Sequence, residues 1–241
     1  MRTKVFAHRG SSFDCAEQSR ESFVAAIRDG VDGIECDVRL TADRIPICWH
    51  DRDLKRLTGR SELVSQIDAA TFTALRIIDD GVESGRNELL EGTPVLFEEL
   101  VKLAKESKLP LLVETKHPVR SGAAVEEIIA RLVKRYEVEV HLLSFSFTAV
   151  RRAERLMPEF EHVQLLQHSQ LISVASAPIV GLDRELVHRD HGIVEALRRK
   201  DKKVFVWTVN DDDEIRWMSE LGVDAIITDK PAHAKKVLGY P

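Results

Sequence analysis

His8-Arg9-Gly10, Glu35-Cys36-Asp37 and His50-Asp51 put two imidazoles, an alternating pair of carboxylates and a guanidinium near the start of the chain. Residues two apart on a strand point to the same side. Glu35 and Asp37 therefore face one cation while Cys36 turns into the packing. Glu114 and Lys116 repeat that spacing, which brings a third acid to the same place. Three buried carboxylates repel one another and resist full ionisation. A divalent cation removes that penalty, and all-oxygen ligation suits Mg2+, Ca2+ or Mn2+ better than zinc. Three carboxylates and one such ion leave about one negative charge, which repels a phosphodiester anion. Arg9 and Lys116 reverse that balance, Arg9 as a two-pronged grip and Lys116 as a point charge. His8 and His50, of the side-chain type best suited to it, are left for proton transfer. Asp51 is placed to orient His50 or its loop. These are the parts for metal-assisted attack on a phosphate ester.

The elements that must position these groups read as alternating strands and helices. Short apolar runs predict strands at 4–8, 33–39, 111–116, 141–145, 162–166, 179–182, 203–209 and 225–228. Helical periodicity predicts helices at 19–29, 97–106, 122–136, 148–156, 193–200, 211–221 and 232–238. Val204-Phe205-Val206-Trp207 is apolar throughout, as in a strand buried on both faces. Eight strands alternating with helices over about 250 residues predict a TIM (β/α)8 barrel. The competing doubly wound sheet lacks its Gly-rich phosphate fingerprint after the first strand. Residues 45–50 read as a short strand turning back after Arg39. Residues 53–93 are the least regular, with one helix near 68–75 followed by a loop. We read the chain as one domain, 1–241, with 53–93 as an excursion on its rim. In such barrels the site lies at the carboxyl ends of the strands, where His8, Arg9, Glu35, Asp37, Glu114, Lys116, Phe145, Trp207 and Asn210 fall.

A 44% hydrophobic, 31% charged composition is that of an ordinary globular protein, and a net charge of -5 gives no footprint for nucleic acid. Three cysteines without a CxxC pair argue for a reducing compartment. Residues 1–5 run into a strand without a signal-peptide apolar stretch, and 171–182 is too short to span a bilayer. The expectation is a cytoplasmic enzyme with no stable membrane association. No heptad or interface stripe sets its oligomeric state.

These residues resemble the glycerophosphodiester phosphodiesterase family. Its opening HRG motif and following Pro-Glu-Asn-Thr element are matched by His8-Arg9-Gly10 and Ala16-Glu17-Gln18-Ser19. Further matches are Glu35-Cys36-Asp37-Val38, Thr41-Ala42-Asp43 and His50-Asp51. Glu114-Thr115-Lys116, Ser144-Phe145-Ser146, Trp207-Thr208-Val209-Asn210 and Thr228-Asp229-Lys230-Pro231 complete an ordered set spanning almost the whole chain. Ala16 and Gln18 depart from the usual Pro and Asn, and Arg44 stands where a turn glycine is common. The resemblance implies a TIM barrel that hydrolyses glycerophosphodiesters to sn-glycerol 3-phosphate and an alcohol. It implies Glu35, Asp37 and Glu114 as ligands of one divalent cation, and His8 and His50 as the acid/base pair. It further implies Arg9 and Lys116 on the phosphate, Phe145 and Trp207 lining the substrate pocket, and Glu17 in the polar shell, where Asp51 and Asn210 also belong.

Other readings compete at several positions. Glu17, three residues after Asp14, also fits a helix capping box. Asp211-Asp212-Asp213-Glu214 reads as a helix start, not as a metal cluster. The remaining histidines and Trp217 read as surface or packing. Alternative functions are a lysophospholipase D or sphingomyelinase-like phosphodiesterase, a Schiff-base lyase using Lys116, and a binding module without catalysis.

Overall fold

A computed structural model describes residues 2–83, 85–119 and 121–241. The apolar runs form β1 (Lys4–Ala7), β2 (Gly33–Leu40), β3 (Pro46–Cys48), β4 (Ile77–Asp79), β5 (Leu90–Gly92) and β6 (Leu111–Thr115). They continue as β7 (Val140–Ser144), β8 (Val163–Leu166), β9 (Ile179–Asp183), β10 (Lys203–Trp207) and β11 (Ala225–Thr228). β1 pairs with both β2 and β11, and β2, β6, β7, β8, β9, β10 and β11 follow one another, all parallel. That order closes a TIM barrel of eight strands. β3 lies antiparallel on β2, with Val38 opposite Cys48, as the turn-back after Arg39 predicts.

The register decides where the acids meet. Asp37 stands opposite Glu114, and Glu35 opposite Leu112. Leu112 belongs to the apolar plug inside the barrel with Phe6, Leu143, Leu165, Phe205 and Ile227. Because alternate residues share a face, the face that buries Leu112 carries Glu114 one step nearer the carboxyl end. The acids thus rest on a dry floor. The opposite faces of β2 and β6, with Cys36, Val38 and Val113, pack under helices α4 (Phe97–Ser107) and α5 (Ala124–Tyr136), the fourth and fifth in the chain.

The other helices are α1 (Arg20–Arg28), α2 (Lys55–Thr58), α3 (Ala69–Thr73), α6 (Phe147–Leu156), α7 (Arg184–Arg189), α8 (Ile193–Arg198), α9 (Asp212–Glu220) and α10 (Pro231–Val237). Three expectations need correction. The strand expected over 203–209 stops at Trp207. α7 has six residues, too few turns for its periodicity to stand out. The segment 53–93 is more ordered than its composition suggests. It carries α2, α3 and the antiparallel β4–β5 hairpin, built over a second small core of Ile47, Trp49, Leu57, Phe72 and Ile77. Trp49 is fully buried, donates to the Asp53 carbonyl at 2.8 Å and meets the edge of Phe72.

α1 is capped by Ser19, whose hydroxyl accepts from Ser22 N at 3.1 Å. The Asp14–Glu17 capping box does not form. Asp211 caps α9 by accepting from Asp213 N and Glu214 N, so that acidic run starts a helix as expected. His162 is a satisfied core histidine, accepting from Leu142 N and facing the Met157 carbonyl. Trp217 stacks on His188 as packing.

Away from the strand ends, Glu126 on α5 is wholly buried between His117 Nε2 and Arg152 Nη1, each 2.6 Å away. Burial opposes its ionisation, but these two partners outweigh it and hold the carboxyl below its ordinary value. A carboxyl depressed in the folded state contributes stability above its unfolded pKa and loses it as pH falls through the folded one. Glu126→Gln is therefore expected to cost about 2–3 kcal/mol near neutrality. The gap from wild type should narrow below about pH 4. Urea unfolding of both proteins across that range checks it.

Candidate active site

Strand ends gather the expected residues around one cavity of about 270 Å³, lined by His8, Arg9, His50, Glu114, Lys116 and Trp207 among others. Glu35, Asp37 and Glu114 each offer an oxygen within 4.8 Å of the other two. Their counter-charges are unequal. Asp37 faces Lys116 Nζ at 2.7 Å and Arg9 Nε at 3.1 Å, and accepts from Gln18 Nε2 at 2.7 Å. Burial pushes its pKa up, but Lys116 and Arg9 together hold it well below the ordinary carboxylate range. Glu35 accepts from the Arg9 backbone N–H at 3.0 Å. Burial, reinforced by Asp37, pushes Glu35 up to about 8. Burial also raises Glu114, against the pull of Lys116 Nζ at 2.8 Å. Two of three convergent carboxylates thus resist ionisation, because burial and the like charge of Asp37 outweigh the positive charge beside them. An all-oxygen set with that deficit is chemically fitted to a hard divalent cation.

Both expected imidazoles are held by aspartates. His8 follows β1, and its Nδ1 lies 2.6 Å from Asp229 Oδ1. His50 follows β3, and its Nδ1 lies 2.8 Å from Asp51 Oδ1. A carboxylate at Nδ1 fixes the proton there and leaves Nε2 as the nitrogen able to exchange one. His8 Nε2 is 4.0 Å from Glu35 Oε2. Burial and Arg9 depress the His8 pKa, but Asp229 and Glu35 outweigh them and raise it.

Asp229 is a site residue that sequence reasoning left without a role. It sits in Thr228-Asp229-Lys230-Pro231, directly after β11, the strand that closes the barrel onto β1. That adjacency was the available signal. Asn210 donates through Nδ2 to Asp229 Oδ2 at 2.6 Å and accepts from Asp229 N at 2.9 Å, so the expected Asn210 enters the site through Asp229. Arg56 was also missed. Its Nε meets Asp51 Oδ2 at 2.7 Å, and its Nη atoms meet Glu17 at 2.6 and 3.0 Å. Arg56 lies in the excursion, where nothing in the sequence fixes which strand end it reaches. Arg39 Nε donates to the His50 carbonyl at 2.8 Å and pins that loop.

Glu17 faces the site. Both its oxygens accept from Arg9 Nη1 at 3.1 Å as well as from Arg56. The Arg9 guanidinium is thereby spread over Glu17, Asp37 and, at 3.1 Å, Glu83. Phe145 and Trp207 line the cavity and meet edge to face with centroids 5.7 Å apart. Gly10 adopts φ +82, and a Cβ there would lie 2.5 Å from Ser22 Oγ. Only glycine lets the loop after His8-Arg9 fold back onto α1. Arg44 takes φ +63 at the position where a turn glycine is common, at a cost of about 1 kcal/mol.

Residues 8–233 match the Glycerophosphoryl diester phosphodiesterase family. The chain is 31% identical to the Mycobacterium tuberculosis "Probable glycerophosphodiester phosphodiesterase 1", covering 96% of this chain and 90% of that one. It is 30% identical to the Bacillus altitudinis glycerophosphodiester phosphodiesterase, covering 98% of each. Its fold matches an Oleispira antarctica phosphodiesterase solved in complex with the product sn-glycerol-3-phosphate, with a TM-score of 0.85 and 21% identity over 99% of this chain and 97% of that one.

Proposed function

This chain belongs to the Glycerophosphoryl diester phosphodiesterase family, a family of phosphoric diester hydrolases, and on that premise we propose that it hydrolyses glycerophosphodiesters to sn-glycerol 3-phosphate and an alcohol. The observation that carries this reading is the convergence of Glu35, Asp37 and Glu114 within 4.8 Å beside a cavity that both His8 and His50 line. The three carboxylates would hold one divalent cation, Mg2+ or Ca2+ before Mn2+, within a single catalytic unit spanning 1–241. When bound, that ion supplies Lewis-acid polarisation of a non-bridging phosphate oxygen. Lys116, between Asp37 and Glu114, and Arg9 add fixed positive charge for the phosphate.

His8, made more basic by Asp229, takes the proton from the attacking hydroxyl, which belongs to water or to the substrate's own glycerol; the second route gives a cyclic phosphate that a water then opens to sn-glycerol 3-phosphate. As the phosphorus–oxygen bond to the head-group alcohol breaks, His50 gives a proton to the departing alkoxide. Asp51 and Asp229 keep each imidazole in the tautomer the step needs. Phe145 and Trp207 wall the pocket, and Glu17 with Arg56 ties the Asp51 side to Arg9. Among the described residues no helix is long and apolar enough to cross a membrane. The proposed enzyme acts on a small-molecule diester in the cytoplasm, as its three cysteines without a CxxC pair suggest, and its net charge of -5 argues against a nucleic acid partner.

The Schiff-base alternative needs a neutral Lys116. Burial favours that form, but Asp37 and Glu114 outweigh it and raise the Lys116 pKa, so the amine stays charged. A lysophospholipase D-like reading draws support from exposed Val82 and Leu89 in the β4–β5 loop that also carries Glu83. Incubation with glycerophosphocholine and with lysophosphatidylcholine separates the two. The proposal expects sn-glycerol 3-phosphate from the first at a rate well above turnover of the second. Turnover of lysophosphatidylcholine alone would overturn it.

A further inference from the structure

Glu83 is the carboxylate of this site that faces solvent. Side-chain exposure is 4% for Glu17, 4% for Glu35, 1% for Asp37, 24% for Asp51 and 12% for Glu114, against 47% for Glu83. Its positive partners are shared with other carboxylates. Arg9 Nη1 reaches it at 3.1 Å but serves both oxygens of Glu17 at the same distance. Arg56 Nε is 3.9 Å from Glu83 and only 2.7 Å from Asp51. Three cations, Arg9, Arg56 and Lys116, stand among these six carboxylates. Of the six, Glu83 is the one whose charge reaches the mouth.

Its position is built. Asp79, at the root of the β4–β5 loop, accepts from Glu17 N at 3.0 Å. Arg86, at the other root, donates to the carbonyls of Ser12 and Phe13 at 3.1 and 2.7 Å. Arg86 N closes the tip onto the Gly81 carbonyl at 2.9 Å. Both loop roots are therefore clamped to the segment after His8-Arg9, and Glu83 lines the same cavity as Phe145 and Trp207. Phe145 is 41% exposed. A half-exposed carboxylate and an accessible aromatic pair on one pocket match an alkylammonium group, which is drawn both to the charge and to the ring faces.

We propose that Glu83 is a specificity residue that favours glycerophosphodiesters whose alcohol carries an ammonium or quaternary ammonium group over those with an uncharged alcohol. This deepens the proposed hydrolysis and rests on it. The test compares kcat/KM for glycerophosphocholine and glycerophosphoethanolamine with that for glycerophosphoglycerol, in wild type, Glu83→Gln and Glu83→Lys. Inhibition by choline and by its uncharged carbon isostere 3,3-dimethylbutan-1-ol gives a second readout. The expected result is a cationic-to-neutral ratio that falls about fivefold in Glu83→Gln and further in Glu83→Lys. The advantage of choline over its isostere should fall with it. Thermal melts confirm that each variant is folded, and the isosteric Gln at an exposed tip leaves the loop clamps in place. Ratios unchanged across the three proteins would overturn the role of Glu83 while leaving the hydrolysis standing. Wild type inert on every diester would instead remove the hydrolysis beneath it.

Discussion

Replacing either imidazole, His8→Ala or His50→Ala, is expected to lower kcat by about a hundredfold or more, because each removes a group that the proposed mechanism uses for proton transfer. The geometry makes the loss specific to chemistry. His8 is tethered by one short contact to Asp229, and His50 by one to Asp51. Neither imidazole belongs to the apolar plug beneath the acids. Truncation therefore removes the working Nε2 without opening the core, and the variants should melt close to wild type. Steady-state turnover of glycerophosphocholine measures the effect. A rate near wild type in either variant would reject the role of that histidine. The two losses should not multiply in the double variant, since groups acting as one unit are strongly non-additive.

Glu35→Gln is expected to weaken divalent-cation binding by about a hundredfold, since ligand charge largely sets the affinity of oxygen sites. Activity should be lost with it at ordinary cation concentrations. The substitution keeps an oxygen for the Arg9 backbone N–H, which now meets Glu35 at 3.0 Å. It also removes a buried carboxyl whose ionisation is resisted by its surroundings and by Asp37. The cation-free variant should therefore melt no lower than cation-free wild type. A ligand that binds only the folded state raises stability by mass action, so the melting temperature of wild type should climb as Mg2+ or Ca2+ is added. That climb should largely disappear in Glu35→Gln. An equal shift in both proteins would exclude Glu35 as a ligand.

The barrel and its acids were legible because period-two spacing is local. Glu35-Cys36-Asp37 and Glu114-Thr115-Lys116 state which side chains share a face, and the alternation of apolar runs with amphipathic helices sets which strands adjoin. Less was legible where the chain returns from far away. Arg56 and Glu83 lie in the excursion, which folds around a small separate core containing Trp49 and Phe72. No periodicity reports that packing. Asp229 was within reach, since barrel closure sets the end of β11 beside the start of the loop after β1. Gln18, read as a departure from the usual motif, donates directly to Asp37. Arg9 illustrates the limit of reading charge alone, for its guanidinium is divided among three carboxylates.

The claim underneath all of this is that three strand-borne oxygens form a seat for one ion on which phosphate chemistry depends. Phosphorus NMR of glycerophosphocholine incubated with thoroughly chelated protein, before and after adding back Mg2+, Ca2+ or Mn2+, puts it to the test most directly. Silence after chelation, then growth of the sn-glycerol 3-phosphate resonance once a divalent ion returns, is the predicted outcome. Undiminished product from the chelated protein would contradict it.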